Sequence, residues 1–354
     1  MGKRFDDWET IKDLSEGGQA WTHLAKKMGG DEDAQFVLKR LKKKTDPNRL
    51  KRFRQDIDAD LHLSHPNVLK VVGHNINHEQ PYLVTEFCSG GSLADARISD
   101  YSDVDRLHMF LAVCHGVGHA HAEGVIHRDL KPPNIFLLSD LRTPVVGDFG
   151  LCLLADQEER LTKVNEPVGA RWYMAPELED GIHLEVGTEA DVYSLGKILY
   201  WMFSGGQVFS REKHRSEQYD LTRDRKDAAI FFVYDLLDGM VVADPGRRRF
   251  RDANEVAEAV ETVIKRIQVN AHHLDLSVPQ ACMNCGVGFY QKVVDESPEM
   301  MRTGEYSQLS QFGFRGLGKS SWLILACDYC GNVQVFRRDY AKDKNIWKQG
   351  RPED

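Results

Sequence analysis

Two neighbouring segments, "VIHRDLKPPNIFL" and "VVGDFGL", constrain this chain more than any other stretch. The first sets Asp129, Lys131 and Asn134 in one short loop between a helix-like run and a strand-like run. The second sets Asp148 in a turn directly after the next strand. Together they supply a metal site of carboxylate and amide ligands with a second carboxylate beside it as a base.

The surrounding patterns place these loops. From residue 8 to 40 the chain reads as strands and turns, through "WETIKDLSEGGQAWTHLAKKM" and "AQFVLKRL". Leu50, Phe53, Ile57 and Leu61, at spacings of three and four, predict an amphipathic helix over 48–64 that Pro66 stops. "NVLKVVGHNIN" and "QPYLVTEF" read as further strands. After about residue 88 the balance shifts to helix: "VDRLHMFLAVCHGVGHAHAEG" ends at Gly124, and "EADVYSLGKILYWMFSGG" and "DANEVAEAVETVIKRI" follow. The expectation is an α+β architecture: a β-rich lobe with one helix over 1–88, a helical lobe over 89–268, an aperiodic linker over 269–280 and a small module over 281–354.

Composition excludes several partners. A formal net charge of -8 opposes a general grip on nucleic acid or an anionic membrane surface. No run approaches the roughly 20 apolar residues of a spanning helix, and "MGKRFDDWET" has no apolar signal segment, so the expectation is a cytoplasmic protein without membrane contact. The myristoylation pattern at Gly2 fails because Asp6 stands where Ser or Thr is required.

Phosphoryl transfer needs a cation on the nucleotide phosphates, magnesium ligands, and a carboxylate that orients the acceptor hydroxyl. "FVLK", "HRDLKPPN", "DFG", "MAPE" and "DVYSLG" occur here in the order and spacing of the eukaryotic-type protein kinases, which the chain resembles over roughly residues 8–268. The resemblance implies a two-lobed kinase fold using ATP and magnesium on a protein substrate. It assigns Lys39 to the α- and β-phosphates, with Asp56 as the brace where the family usually has Glu. Asp129 takes the hydroxyl proton, Asn134 and Asp148 hold magnesium, and Lys131 steadies the γ-phosphate. Lysine at position 131 resembles the serine/threonine-directed branch.

The remaining implied positions depart more from the family pattern. In "LSEGGQAWT" Ser15 and Ala20 replace the outer glycines of a phosphate-cradling loop, while Gly17 keeps the middle position and Gly18 adds freedom beside it. The implied lid works but is stiffer. Thr85 resembles the residue gating the pocket behind adenine, and Glu86 and Cys88 offer backbone groups to the adenine edge. Thr162 is the candidate phosphate acceptor for Arg128, against which the standing charge of Asp156, Glu158 and Glu159 offers an alternative. Ala170 stands where a threonine is usual, and Glu177 with Arg248 resembles the family's buried ion pair. Ser15, Ala20, Asp56 and Ala170 leave open a scaffold that binds nucleotide or partners without turnover.

Four of the seven cysteines form two C-x-x-C pairs, Cys282 with Cys285 and Cys327 with Cys330. Each pair is followed by glycine, and four thiolates so arranged suit one tetrahedral structural zinc. The module resembles a zinc ribbon with strands in "GVGFYQKVV", "SWLILAC" and "NVQVFRRDY". Phe312, Phe314, Arg315 and Lys319 between the knuckles fit single-stranded nucleic acid, a partner protein, or simply a solvated loop. A third reading accordingly makes the ribbon the working part of a kinase-regulated adaptor. Oligomeric state is not legible.

Overall fold

The computed structural model describes residues 2–16, 20–31, 33–42, 50, 53–54, 57, 61–149, 172–179, 186–223, 228–271, 290–292, 322–327 and 333–337. The chain divides into two compact units, Met1–Ile264 and Lys265–Asp354.

The first unit opens with a six-stranded antiparallel sheet in the order β1-β2-β3-β4-β6-β5. Its strands are β1 (Arg4–Phe5), β2 (Trp8–Glu16), β3 (Ala20–Lys27), β4 (Phe36–Leu41), β5 (Val71–Asn75) and β6 (Tyr82–Glu86). Alternation along the strands gives each face its own core. Phe5, Trp8, Ala25, Leu38, Tyr82 and Val84 pack on one face. Leu41 and Leu83 pack on the other, against Phe53 and Ile57. Residues 50, 53, 54, 57, 61 and 62 are helical, as the spacing predicts, but the stripe ends at Ile57 and leaves Leu61 46% exposed.

Helices dominate after residue 100. The first long one, α1 (Asp103–Ala122), starts at a reciprocal cap: the Asp105 amide donates to Ser102 Oγ at 3.1 Å, and the Ser102 amide to Asp105 Oδ2 at 3.2 Å. It ends at Gly124, whose φ of 75° needs a residue without Cβ. A hairpin of β7 (Ile135–Leu137) and β8 (Pro144–Val146) follows. Next come α2 (Glu189–Phe203), α3 (Ala228–Met240) and α4 (Ala253–Ala271). In α2 every residue from Ala190 to Phe203 is buried, so this helix is the spine of the lobe.

Two elements differ from the sequence expectation. The helix α3 has no counterpart in that expectation: "AAIFFVYDLLDGM" is mostly apolar, and only Asp235 and Asp238, three residues apart and exposed, mark its outer side. The helix α4 continues to Ala271, past the end of the apolar pattern at Ile267. In the second unit, β9 (Tyr290–Lys292), β10 (Trp322–Cys327) and β11 (Val333–Arg337) form an antiparallel sheet in the order β11-β10-β9. Each lies inside a segment read as a strand. Cys327 closes β10 opposite Tyr290. Cys282, Cys285, Cys330, Phe312, Phe314, Arg315 and Lys319 lie outside the described residues. Among the described residues no helix is long and apolar enough to cross a membrane.

Candidate active site

The loop after α1 is held from below by one buried carboxylate. Asp191, in the first turn of α2, accepts the backbone amides of His127 and Arg128, each at 2.7 Å, and lies 3.0 Å from His121 Nε2. Burial alone would raise this carboxyl, but His121, His127 and the Arg128 amide outweigh it and hold it below its ordinary range. The same contacts support Arg128 at φ 63°, a left-handed conformation that costs a non-glycine residue energy. Asp191 belongs to the "DVYSLG" motif, yet its role was missed. The signal for it was a carboxylate at the head of a largely apolar helix.

His127 then ties this loop to the next. Its Nε2 donates to the Gly147 carbonyl at 2.9 Å, which leaves Nδ1 to accept the Asp129 amide at 3.3 Å. The Gly147 amide in turn donates to the Asn134 carbonyl at 3.0 Å. Gly147 is required by close approach: a Cβ there would come within 2.8 Å of Leu69 and 3.0 Å of Phe136. The turn that presents Asp148 is thereby locked to the loop that presents Asp129 and Asn134.

Two of the predicted residues converge on the carboxylate of a third, Asp129. Lys131 Nζ donates to Asp129 Oδ2 at 2.7 Å, and Asn134 Nδ2 donates to the Asp129 carbonyl at 2.9 Å and to Oδ2 at 3.1 Å. Both side-chain contacts fall on Oδ2, so Oδ1 is the oxygen placed to receive a hydroxyl proton. The Asn134 nitrogen is committed to Asp129, and its amide oxygen remains as a hard donor.

Lys39 comes from β4 and crosses to the second lobe, where Nζ donates to Asp148 Oδ1 at 2.7 Å. Burial pushes the Asp148 carboxyl up, but the Lys39 ammonium, with lesser help from His127 and Lys131, holds it below its ordinary value. Asp148 is therefore ionised, and it too sits in the left-handed region, at φ 62°. Carboxylate and amide oxygen together are the ligand chemistry that suits magnesium, so Asp148 and Asn134 fit the ion the site implies.

Of the remaining positions, Ser15 lies near the end of β2 and Ala20 opens β3. Thr85 is half-buried in β6, opposite Val37 and Val71. The Glu86 amide donates to the Lys70 carbonyl at 3.1 Å. Cys88 is buried, and burial with the Glu86 charge pushes its thiol up to about 11, so it is not a nucleophile. Glu177 and Arg248 form the anticipated buried pair, at 2.5 and 2.8 Å. Gly17, Gly18, Asp56, Thr162 and Ala170 lie outside the described residues.

An antiparallel sheet carrying Lys39, followed by a helical lobe whose loops carry Asp129, Asn134 and Asp148, defines the two-lobed class of phosphotransferase folds. The model of the protein kinase domain matches residues 8–283, and the chain belongs to the protein kinase family. CDPK-related kinase 7 of Arabidopsis thaliana is 37% identical over 150 residues, which cover 41% of this chain and 25% of that protein. Serine/threonine-protein kinase PknB of Mycolicibacterium smegmatis is 30% identical over 226 residues, 62% of this chain and 36% of that protein. The chain thus spans well under half the length of these relatives. The crystal structure of the Mycobacterium tuberculosis PknI kinase domain superposes with a TM-score of 0.57 at 24% identity, covering 74% of this chain and 98% of that one.

Proposed function

We propose that this chain is a protein serine/threonine kinase that transfers the γ-phosphoryl of ATP to protein hydroxyls. The observation that carries this reading is the convergence of Lys131 and Asn134 on Asp129 Oδ2, tied through Gly147 to the Lys39–Asp148 pair. In it Asp129 Oδ1 orients the acceptor hydroxyl and takes its proton, Lys131 meets the γ-phosphate, and Lys39 meets the α- and β-phosphates. Asp148 and the Asn134 amide oxygen would hold magnesium, which when bound neutralises charge on the phosphates. Lys131, and the similarity to PknB, a serine/threonine-protein kinase, favour serine or threonine over tyrosine.

The test is incubation of the purified chain with γ-labelled ATP and magnesium beside Asp129→Ala. Label on the chain or on a basic acceptor protein, absent from the variant, is the expected result. Equal label in both sinks the reading.

Two regulatory features belong to the same proposal. Arg128 Nε is buried and has no hydrogen-bond partner among the described residues, which supports a role as receiver for a phosphate on Thr162. The four cysteines at 282, 285, 327 and 330 hold one structural zinc in a ribbon that regulates the kinase or targets it, in the cytoplasm, to a protein or single-stranded nucleic acid. The antiparallel β9–β11 sheet, with Cys327 closing β10, supports it.

A further inference from the structure

The small lobe buries His23 and Arg40, polar side chains that the phosphoryl-transfer chemistry does not use. Register sets Thr22 opposite Lys39, Trp21 opposite Arg40 and His23 opposite Leu38. His23 and Arg40 therefore lie on the face of the sheet opposite Lys39. They are 3% and 7% exposed.

Arg40 Nε donates to His23 Nε2 at 2.9 Å. A guanidinium has only donors, so His23 Nε2 is the acceptor and the ring proton is on Nδ1. That nitrogen donates to Asp13 Oδ1 at 2.6 Å. Arg40 Nη1 reaches Gln80 Oε1 at 3.3 Å, in the turn before β6, and the guanidinium lies 5.5 Å from the centre of the Trp21 ring. Burial disfavours the Arg40 charge, and the Asp13 carboxylate at the far end of the chain of bonds opposes that.

The placement of these groups gives the relay a purpose. Asp13 faces His23 directly across β2 and β3, and the ladder between those strands is irregular on either side of Asp13, at Thr10/Lys12 and at Asp13/Ser15. At such irregularities the ladder is locally disrupted and a residue is left unpaired. Asp13 is also two residues before Ser15, at the stem of the phosphate lid, and Arg40 directly follows Lys39. The bonds from Asp13 through His23 to Arg40 tie β2, β3 and β4 together by side chains across this interrupted stretch.

We propose that Asp13, His23 and Arg40 are positioning residues for nucleotide, holding the ends of β2 and β3 at Ser15 and Ala20 in register with the Lys39 strand, so that both sides of the phosphate site are presented together. The proposal rests on the kinase reading and adds to it a device on the outer face of the sheet.

The experiment compares wild type, His23→Leu, His23→Gln and Asp13→Ala by calorimetric MgATP affinity, by KM for ATP and for the acceptor, and by kcat. His23→Leu should raise KM for ATP about fivefold to tenfold, with kcat and the acceptor KM within about twofold. Glutamine, with one donor and one acceptor to replace those of the imidazole, should restore most of the affinity. Asp13, with a side chain 82% exposed, can be truncated without opening a core, so Asp13→Ala carries the test if His23→Leu fails to fold. A rise of about threefold in KM for ATP with an unchanged melting temperature supports the relay. MgATP affinity in Asp13→Ala and in any folded His23→Leu equal to that of wild type overturns the relay alone. A wild-type chain that binds no MgATP overturns the kinase reading and the relay with it.

Discussion

Lys39 Nζ and Asp148 Oδ1 meet at 2.7 Å although 109 residues separate them, one on a strand of the first lobe and the other in a turn of the second. In the proposed function the pair joins the two halves of the nucleotide site. It also keeps Asp148 ionised, as the magnesium-holding role proposed for it requires. Lys39→Met should lower kcat/KM for ATP by about a hundredfold to a thousandfold while leaving the helical lobe folded. Steady-state kinetics with circular dichroism check it, and a loss below threefold would remove Lys39 from the phosphate site.

Asp191 satisfies two backbone amides and faces His121 in a site closed to water. Asp191→Ala should cost about 3 kcal/mol, because the amides of His127 and Arg128 lose their acceptor. Activity should fall with stability, since the same bonds shape the Asp129 loop. Urea unfolding beside a transfer assay reads both, and a variant that keeps its unfolding midpoint refutes the role.

Asp238 gives a pH dependence with a definite sign. Burial would raise its carboxyl, but the His214 and Arg215 hydrogen bonds take it from 3.8 to about 2. A depressed carboxyl contributes stability above its unfolded pKa and loses that contribution as pH falls through the folded one, here between 3.8 and about 2. Its side chain is 42% exposed, so solvent screening reduces the contribution to about 1 kcal/mol. The stability gap between wild type and Asp238→Asn should be full at pH 6 and should narrow as the pH falls below about 4. A gap that widens on acidification contradicts the assignment.

Elemental analysis of the purified chain should find about one zinc per molecule, the number that four thiolates complete. Cys327→Ser should lose it, and chelation should unfold the second unit while sparing the first. A Cys327→Ser protein that keeps stoichiometric zinc refutes the ligand set.

Legibility followed distance along the chain. Asp129, Lys131 and Asn134 sit within six residues, so local spacing put them on one loop and the kinase resemblance implied their roles; the structure brings Lys131 and Asn134 onto the Asp129 carboxylate. The amphipathic stripe of Leu50, Phe53 and Ile57 and the alternation in β4 were legible for the same reason, since each repeats with the period of its own backbone. The helix α3 was not, because its segment is mostly apolar and only Asp235 and Asp238 mark the exposed side.

Residue types and short-range spacing thus settled the chemistry available to the chain: which carboxylates, which ammoniums and which glycines. Tertiary structure alone decided which of them act together. That Asp191 is the floor of the catalytic loop, and that Asp13 reaches Arg40 through His23, depend on strand register and helix packing. Those are set by burying apolar faces across long stretches of chain, a balance that no local window contains.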